Sequence, residues 1–236
     1  MRAAFLFGIP RAAATFDLDG TVLDTRVAFV RAHQLAVRDV IGMRMDEARI
    51  VGLMGSGMTL PERMASIEPA AAVELSNAFL ERYRRERGRV VPYPGMPDLL
   101  ARLERRGVRV AIVSSKHRED VLMELAASGL DRYVDAVVAY EDTAEHKPSP
   151  APNLEAMRIL EAAFGVGVGD APTDMLSIRA AGLAALGVSW GFGDVESLLR
   201  SGAESVCGTV RELGEALDER LQSGTNTKRC QRRSTT

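Results

Sequence analysis

Short apolar runs punctuate the chain at intervals that amphipathic segments fill. AATF (13–16), VRVAIVS (108–114), VDAVVA (134–139), FGVGVG (164–169) and LAALGVS (183–189) read as strands. Between them lie MPDLLARLERRG (96–107) and REDVLMELAASG (118–129), both closed by a glycine, and SPAPNLEAMRILEAA (149–163), opened by Ser and Pro. These are helix start and stop signals. Such alternation predicts an α/β fold, a doubly wound parallel sheet of Rossmann-like kind.

One stretch breaks the rhythm. From 26 to 91 no strand is evident, only helical patterns such as VAFVRAHQLAVRDVIG (27–42) and AAAVELSNAFLERYRRERG (70–88). An all-helical insert placed directly after the first strand, and rejoining through Pro92, Pro94 and Gly95, predicts a small second domain on two linkers. The alternative is a set of helices that merely cover one face of the sheet. The expected division is therefore an α/β core of 1–25 and 92–221, a helical cap of 26–91, and a disordered tail of 222–236, which lacks apolar periodicity.

At 236 residues, 46% hydrophobic and 26% charged, the composition is that of an ordinary soluble globular protein. A net charge of −2 offers no electrostatic case for nucleic acid or membrane binding. Two cysteines, Cys207 and Cys230, are too few for a disulfide framework or a Cys-based zinc site, which points to the cytoplasm. The opening RAAFLFGIP loosely imitates a secretion signal, but cleavage near Ala14 would cut into the first strand.

The candidate chemistry collects where strands end. FDLDGT (16–21) sets Asp17 and Asp19 two positions apart beyond a strand, before the turn at Gly20. Two acids there repel unless a cation or phosphoryl group accounts for them, one carboxylate acting as ligand and nucleophile and the other moving a proton. VSSK brings Ser114, Ser115 and Lys116 to the end of another strand, HKPSP brings Lys147 before a helix, and VGDAPTD brings Asp170 and Asp174 after a third. Converging on one sheet edge, they offer carboxylates, a hydroxyl and an ammonium to a phosphate. Each has a plainer reading: Asp19-Gly20 as a turn, Ser114 or Ser115 as a helix N-cap, Lys147 as a solvated lysine, Asp170 as a cap of the next helix. His33, His117 and His146 are not spaced as a metal cluster.

With FDLDGTVLDT, VSSK, KPSP and GDAPTD in this order, the sequence resembles the haloacid dehalogenase superfamily, and its phosphoglycolate phosphatase-like branch with a helical cap, from about Ala13 to about Leu217. The resemblance implies that Asp17 is the nucleophile and Asp19 the general acid and base. It implies Mg²⁺ held by Asp17, Asp170 and the Asp19 carbonyl, Ser114 and Lys147 on the phosphate, and Thr21, Ser115 and Asp174 in support. ILEAAFGVGVGD departs from the branch by running almost directly from helix to strand. Substrate choice would rest on the cap, around GLMGSGMTLPER (52–63), where Ser56 and Arg63 are the candidates and an ordinary helix connection is the alternative. The expectation is a Mg²⁺-dependent phosphatase of a small phosphorylated metabolite. A hexose phosphomutase or a non-catalytic binding protein of the same fold are the alternatives.

Overall fold

In the computed structural model, backbone is described for residues 11–233 and side chains for 11–222. The secretion-signal reading of the first residues thus falls outside the described residues. Strand β1 (Ala12–Phe16) leads through a tight turn to the two-residue β2 (Leu23–Asp24). Helices α1 (Arg26–Ile41), α2 (Glu47–Gly55), α3 (Leu60–Ile67) and α4 (Ala72–Glu86) follow, and β3 (Val91–Pro92) closes the insert. The core then alternates α5 (Met96–Arg105), β4 (Arg109–Val113), α6 (Arg118–Ser128), β5 (Ala136–Val138), α7 (Ala151–Ile159), β6 (Phe164–Gly169), α8 (Pro172–Ala180), β7 (Ala184–Val188), α9 (Val195–Arg200), β8 (Ser205–Cys207) and α10 (Val210–Arg233).

Among the described residues the main sheet runs β5-β4-β1-β6-β7-β8, all parallel. The first strand therefore lies in the middle, and the order reverses on either side of it. That switch point opens a crevice at the carboxyl ends of the strands. Pairing of Phe16 with both Ile112 and Val168 brings residues 17, 114 and 170 out at nearly the same level. Helix α5 shows why the elements hold: Met96, Leu99, Leu100 and Leu103 repeat at helical spacing, and all four are buried in the core beneath β1, β4 and β6. Each such side chain contributes about 1.5–3 kcal/mol.

The insert has a core of its own. Phe29, Ala32 and Ala36 of α1 close on Ile50, Met64, Leu75, Phe79 and Tyr83, and the rings of Phe29 and Tyr83 stack with centroids 4.7 Å apart. Its two connections are not bare linkers, because β2 and β3 pair antiparallel, Leu23 with Pro92 and Asp24 with Val91.

Two expectations change. Strand β8 has no counterpart in the sequence reading, its three residues being too short to stand out. Residues 222–233, expected to form an irregular tail, continue helix α10. Leu213, Leu217 and Leu221 anchor that helix at successive turns, and once a helix is nucleated each further residue adds a hydrogen bond at little cost.

Candidate active site

Just past the end of β1, the backbone folds back within a few residues: Val22 and Leu23 N–H both donate to the Leu18 carbonyl, and Gly20 N–H donates to Leu23. This tight loop projects Asp17 and Asp19 into the crevice. Gly20 sits at φ 80°, in the left-handed region where a Cβ is disfavoured.

Lys147 reaches Asp17 from the loop before α7. Its ammonium donates to Asp17 Oδ1 and to the Val113 carbonyl, both at 2.7 Å, and lies 2.7 Å from Asp174 Oδ1. Burial pulls this lysine's pKa down, but Asp17 and Asp174 outweigh it and hold it above its ordinary value. It is a buried, fully charged cation, not a solvated surface lysine. Beneath it a polar ladder fixes the loop: Thr15 Oγ1 donates to Asn153 at 2.8 Å, Asn153 to Ser177 at 2.9 Å, and Ser177 to the Ser149 carbonyl at 2.7 Å. Thr15, Asn153 and Ser177 carried no sequence signal, since each is an ordinary polar residue until the fold buries it.

Asp170 is held from three sides. Thr21 Oγ1 donates to its Oδ1 at 2.9 Å, Phe192 N–H to its Oδ2 at 2.8 Å, and Gly193 N–H to its carbonyl at 3.1 Å. The N-cap of α8 is Ala171, whose N–H is met by Asp174 Oδ2 at 3.0 Å, so Asp170 is not spent on capping. The direct passage from helix to strand before this loop is absorbed at Glu161, which takes φ 49°. Asp170 and Asp174 consequently still arrive beside Asp17.

Asp17, Asp170 and Asp174 each offer an oxygen within 4.8 Å of the others. Three carboxylates face a single ammonium there, which leaves negative charge uncompensated in a buried place. Burial, and next the Asp174 charge, push Asp170 up to about 7. Asp17 is also raised well above the carboxylate range, burial outweighing the pull of Lys147. An oxygen-rich, electron-rich pocket of this kind fits a hard divalent cation such as Mg²⁺.

Ser114 is buried just past the end of β4, where its Oγ accepts from Lys116 N–H at 3.2 Å and, among the described residues, donates to no acceptor. Ser115 is exposed, and the N-cap of α6 is His117, so neither serine caps that helix. Asp19 pairs with Lys116 at 2.7 Å. Among the histidines, His117 bonds Glu141 and His146 stacks on Tyr140, and neither belongs to the Asp17, Asp170 and Asp174 group. His33 is fully buried in the insert, and burial together with the Arg63 charge lowers it to about 3.

Two-thirds of the 52–63 segment is helix. Residues up to Gly55 finish α2, Leu60 begins α3, and the loop between them lies on the core: a Cβ on Gly57 would stand 2.6 Å from Thr173 Cγ2, in the helix turn that carries Asp174. Ser56 is exposed and its hydroxyl donates to the Leu53 carbonyl at 2.7 Å, closing its own helix. Arg63 differs. Only 8% exposed, its Nε has no hydrogen-bond partner, and no carboxylate pairs with it among the described residues. Burial lowers it to about 10, and the charge it feels in opposition is that of Asp19.

Residues 14–188 match the family model described as haloacid dehalogenase-like hydrolase. The chain belongs to that family. A phosphoglycolate phosphatase of Cupriavidus necator is 31% identical over 213 residues, 87% of this chain and 92% of the relative. A protein of Caldanaerobacter subterraneus subsp. tengcongensis named as a pyrophosphatase is 31% identical over 181 residues, 75% of this chain and 81% of the relative. Among solved structures, a hydrolase from Pseudomonas syringae superposes with a TM-score of 0.76 at 27% identity, covering 89% of this chain and 99% of that one. This haloacid dehalogenase-like hydrolase is an enzyme with phosphatase activity, and the non-catalytic alternative falls away.

Proposed function

We propose that this hydrolase is a Mg²⁺-dependent phosphatase that cleaves a small phosphorylated metabolite through a phosphorylated Asp17, with a phosphoglycolate-like ester as the leading substrate. The observation that carries the reading is the Asp17–Lys147–Asp174 bridge beside Asp170 at the sheet's switch point.

Lys147 occupies Asp17 Oδ1, and the other oxygen has no hydrogen bond among the described residues, so it is the one to attack phosphorus. As the Asp17–phosphorus bond forms, the ester P–O bond breaks and Asp19 gives its proton to the departing oxygen. Asp19, now a carboxylate, takes a proton from water. That water attacks phosphorus, the Asp17–phosphorus bond breaks, and inorganic phosphate leaves. Ser114 donates to a phosphate oxygen, while Lys147 offsets charge on nucleophile and phosphoryl group throughout. Asp17, Asp170 and the Asp19 carbonyl would hold Mg²⁺, with Thr21 and Asp174 fixing its surroundings. The ion's role is to neutralise the negative charge that otherwise opposes an anionic nucleophile meeting an anionic ester.

Arg63 supports the choice of substrate. A buried guanidinium without a carboxylate partner, within the field of Asp19, suits a substrate that brings a second anionic group. Phosphoglycolate and pyrophosphate, after which the two relatives are named, both do. The helical segment 26–91 is read as a cap that opens about the β2–β3 ribbon to admit substrate and closes to exclude water. The cytoplasm is the expected compartment. Cys207 is a free buried thiol, and among the described residues no helix is long and apolar enough to cross a membrane.

Assay of Asp17→Asn against phosphoglycolate with Mg²⁺ tests the reading. Loss of more than about tenfold in turnover, with an unchanged fold by circular dichroism, is expected. Retained turnover would rule out a covalent intermediate at Asp17, and full activity after exhaustive chelation would rule out the metal.

A further inference from the structure

Lys116 sits at the meeting point of three elements. Its ammonium donates to Asp19 Oδ1 at 2.7 Å, to Glu124 Oε2 of α6 at 2.7 Å, and to the Tyr83 hydroxyl of α4 at 2.9 Å. An ammonium has three protons, and all three are used. Tyr83 completes the ring by donating to Glu124 Oε1 at 2.7 Å. The far side of the assembly is dry, Tyr83 being 2% and Glu124 4% exposed, while the Asp19 side chain keeps 18%. From above, the insert lays aromatic rings over the cation, with Lys116 Nζ 4.7 Å from the Tyr83 centroid and 5.4 Å from that of Phe29. The same seam is reinforced one turn away, where Arg87 pairs with the buried Asp120 of α6.

Saturation of Lys116 removes it as a phosphate ligand and leaves its bond to Asp19 as its link to the reaction. We propose that Lys116 is a positioning residue for Asp19, and that Tyr83, carried by the helical insert, completes its shell, so that Asp19 is aimed at the leaving group only when the insert is docked. Lys116 fixes Oδ1 of Asp19 and thereby turns Oδ2 toward the crevice. Glu124 anchors Lys116 to the core. Withdrawal of the insert takes away the Tyr83 hydroxyl of α4 and both rings, Tyr83 and Phe29 of α1, at once, leaving the ammonium in water with a vacant proton and Asp19 free to swing. Proton transfer is thus confined to the state in which the reacting ester is covered. The inference rests on the reading of Asp19 as the acid that protonates the leaving group.

A leaving-group comparison tests it. Proton donation matters for a poor leaving group, such as the alkoxide of phosphoglycolate, and little for p-nitrophenolate. Lys116→Met is expected to lower kcat on phosphoglycolate about 100-fold and on p-nitrophenyl phosphate by less than about fivefold, since positioned proton transfer is worth about 10²–10⁴-fold. Tyr83→Phe keeps the stacked ring and removes only the hydroxyl; about a tenfold loss on the alkyl ester alone is expected, one charge-assisted bond being worth about that much. In the Lys116→Met background it should cost nothing further. Equal losses on both esters, or losses that add in the double variant, would overturn the proposal, and Tyr83→Phe decides it should Lys116→Met fail to fold. Asp19→Asn separates the two levels. If it shows no ester-dependent loss, the acid assignment itself fails, whereas if it does and Lys116→Met and Tyr83→Phe do not, only the positioning role fails.

Discussion

Gly20 lies directly against Asp170: a Cβ at position 20 would overlap its carboxylate, standing 2.9 Å from Cγ, and would stand 2.8 Å from Phe192 Cδ2. The loop after the first strand and the loop after β6 therefore interlock, and the close fit depends on a residue without a side chain at φ 80°.

Gly20→Ala is expected to displace Asp170 as well as strain the turn. The strain alone costs about 1–3 kcal/mol. Mg²⁺ affinity, read by titration against the thermal unfolding midpoint, should fall, and activity at saturating Mg²⁺ should recover only in part. Wild-type affinity in this variant would mean that Asp170 is not a ligand.

Lys147→Met removes the only ammonium between Asp17 and Asp174 among the described residues. Turnover should fall by at least about 10³-fold on every ester, good leaving group or poor, because the lost charge acts on the phosphoryl group and not on the leaving oxygen. A loss confined to poor leaving groups would instead give Lys147 a role in proton transfer.

In chelated protein, stability should decline as pH rises. Asp170 is raised from the ordinary carboxylate value of 3.8 to about 7, and Asp17 is raised as well. A carboxyl whose pKa is higher folded than unfolded contributes its full stability below the unfolded value and loses it as pH climbs through the folded one, since the native state binds more protons in between. The unfolding midpoint with EDTA should thus drop between about pH 4 and pH 7. Mg²⁺ requires ionised ligands, so it should raise the midpoint more at pH 7.5 than at pH 5. An equal Mg²⁺ effect at both pH values would speak against carboxylate ligands.

Arg63→Gln and Ser56→Ala should behave differently although both belong to the 52–63 segment. Losing Arg63 is expected to raise KM for phosphoglycolate about tenfold or more, with KM for p-nitrophenyl phosphate nearly unchanged, because only the first substrate brings a second anion. Losing the Ser56 hydroxyl removes a bond to its own helix, and a cost of about 0.5–1.5 kcal/mol in stability with no change in substrate preference is expected. Steady-state kinetics on the two esters with melting curves would distinguish them.

Much of this enzyme is legible along the chain because the relevant information is local. Alternating runs announce the α/β core, and residues directly after a strand emerge at the strand's carboxyl edge, so Asp17, Ser114 and Asp170 could be marked as candidates from position, with Asp19 two residues on; Lys147, in the loop before α7, stood out only through the KPSP wording of the family the chain resembles. What remains depends on faces meeting across distance. Ribbon β2–β3 exists only because two residues at each end of the insert pair, and neither pair has a pattern of its own. Glu124 and Asp120 look like solvent positions on α6, yet they are buried because Tyr83 and Arg87 cover them. Arg63 and Ser56, seven positions apart, read alike in sequence; among the described residues one guanidinium ends buried without a carboxylate partner while the hydroxyl serves its own helix end. Periodicity and strand ends follow from backbone geometry, which each segment carries within itself. The pairing of a buried charge is decided by whichever element packs over it, and only the tertiary structure supplies that element.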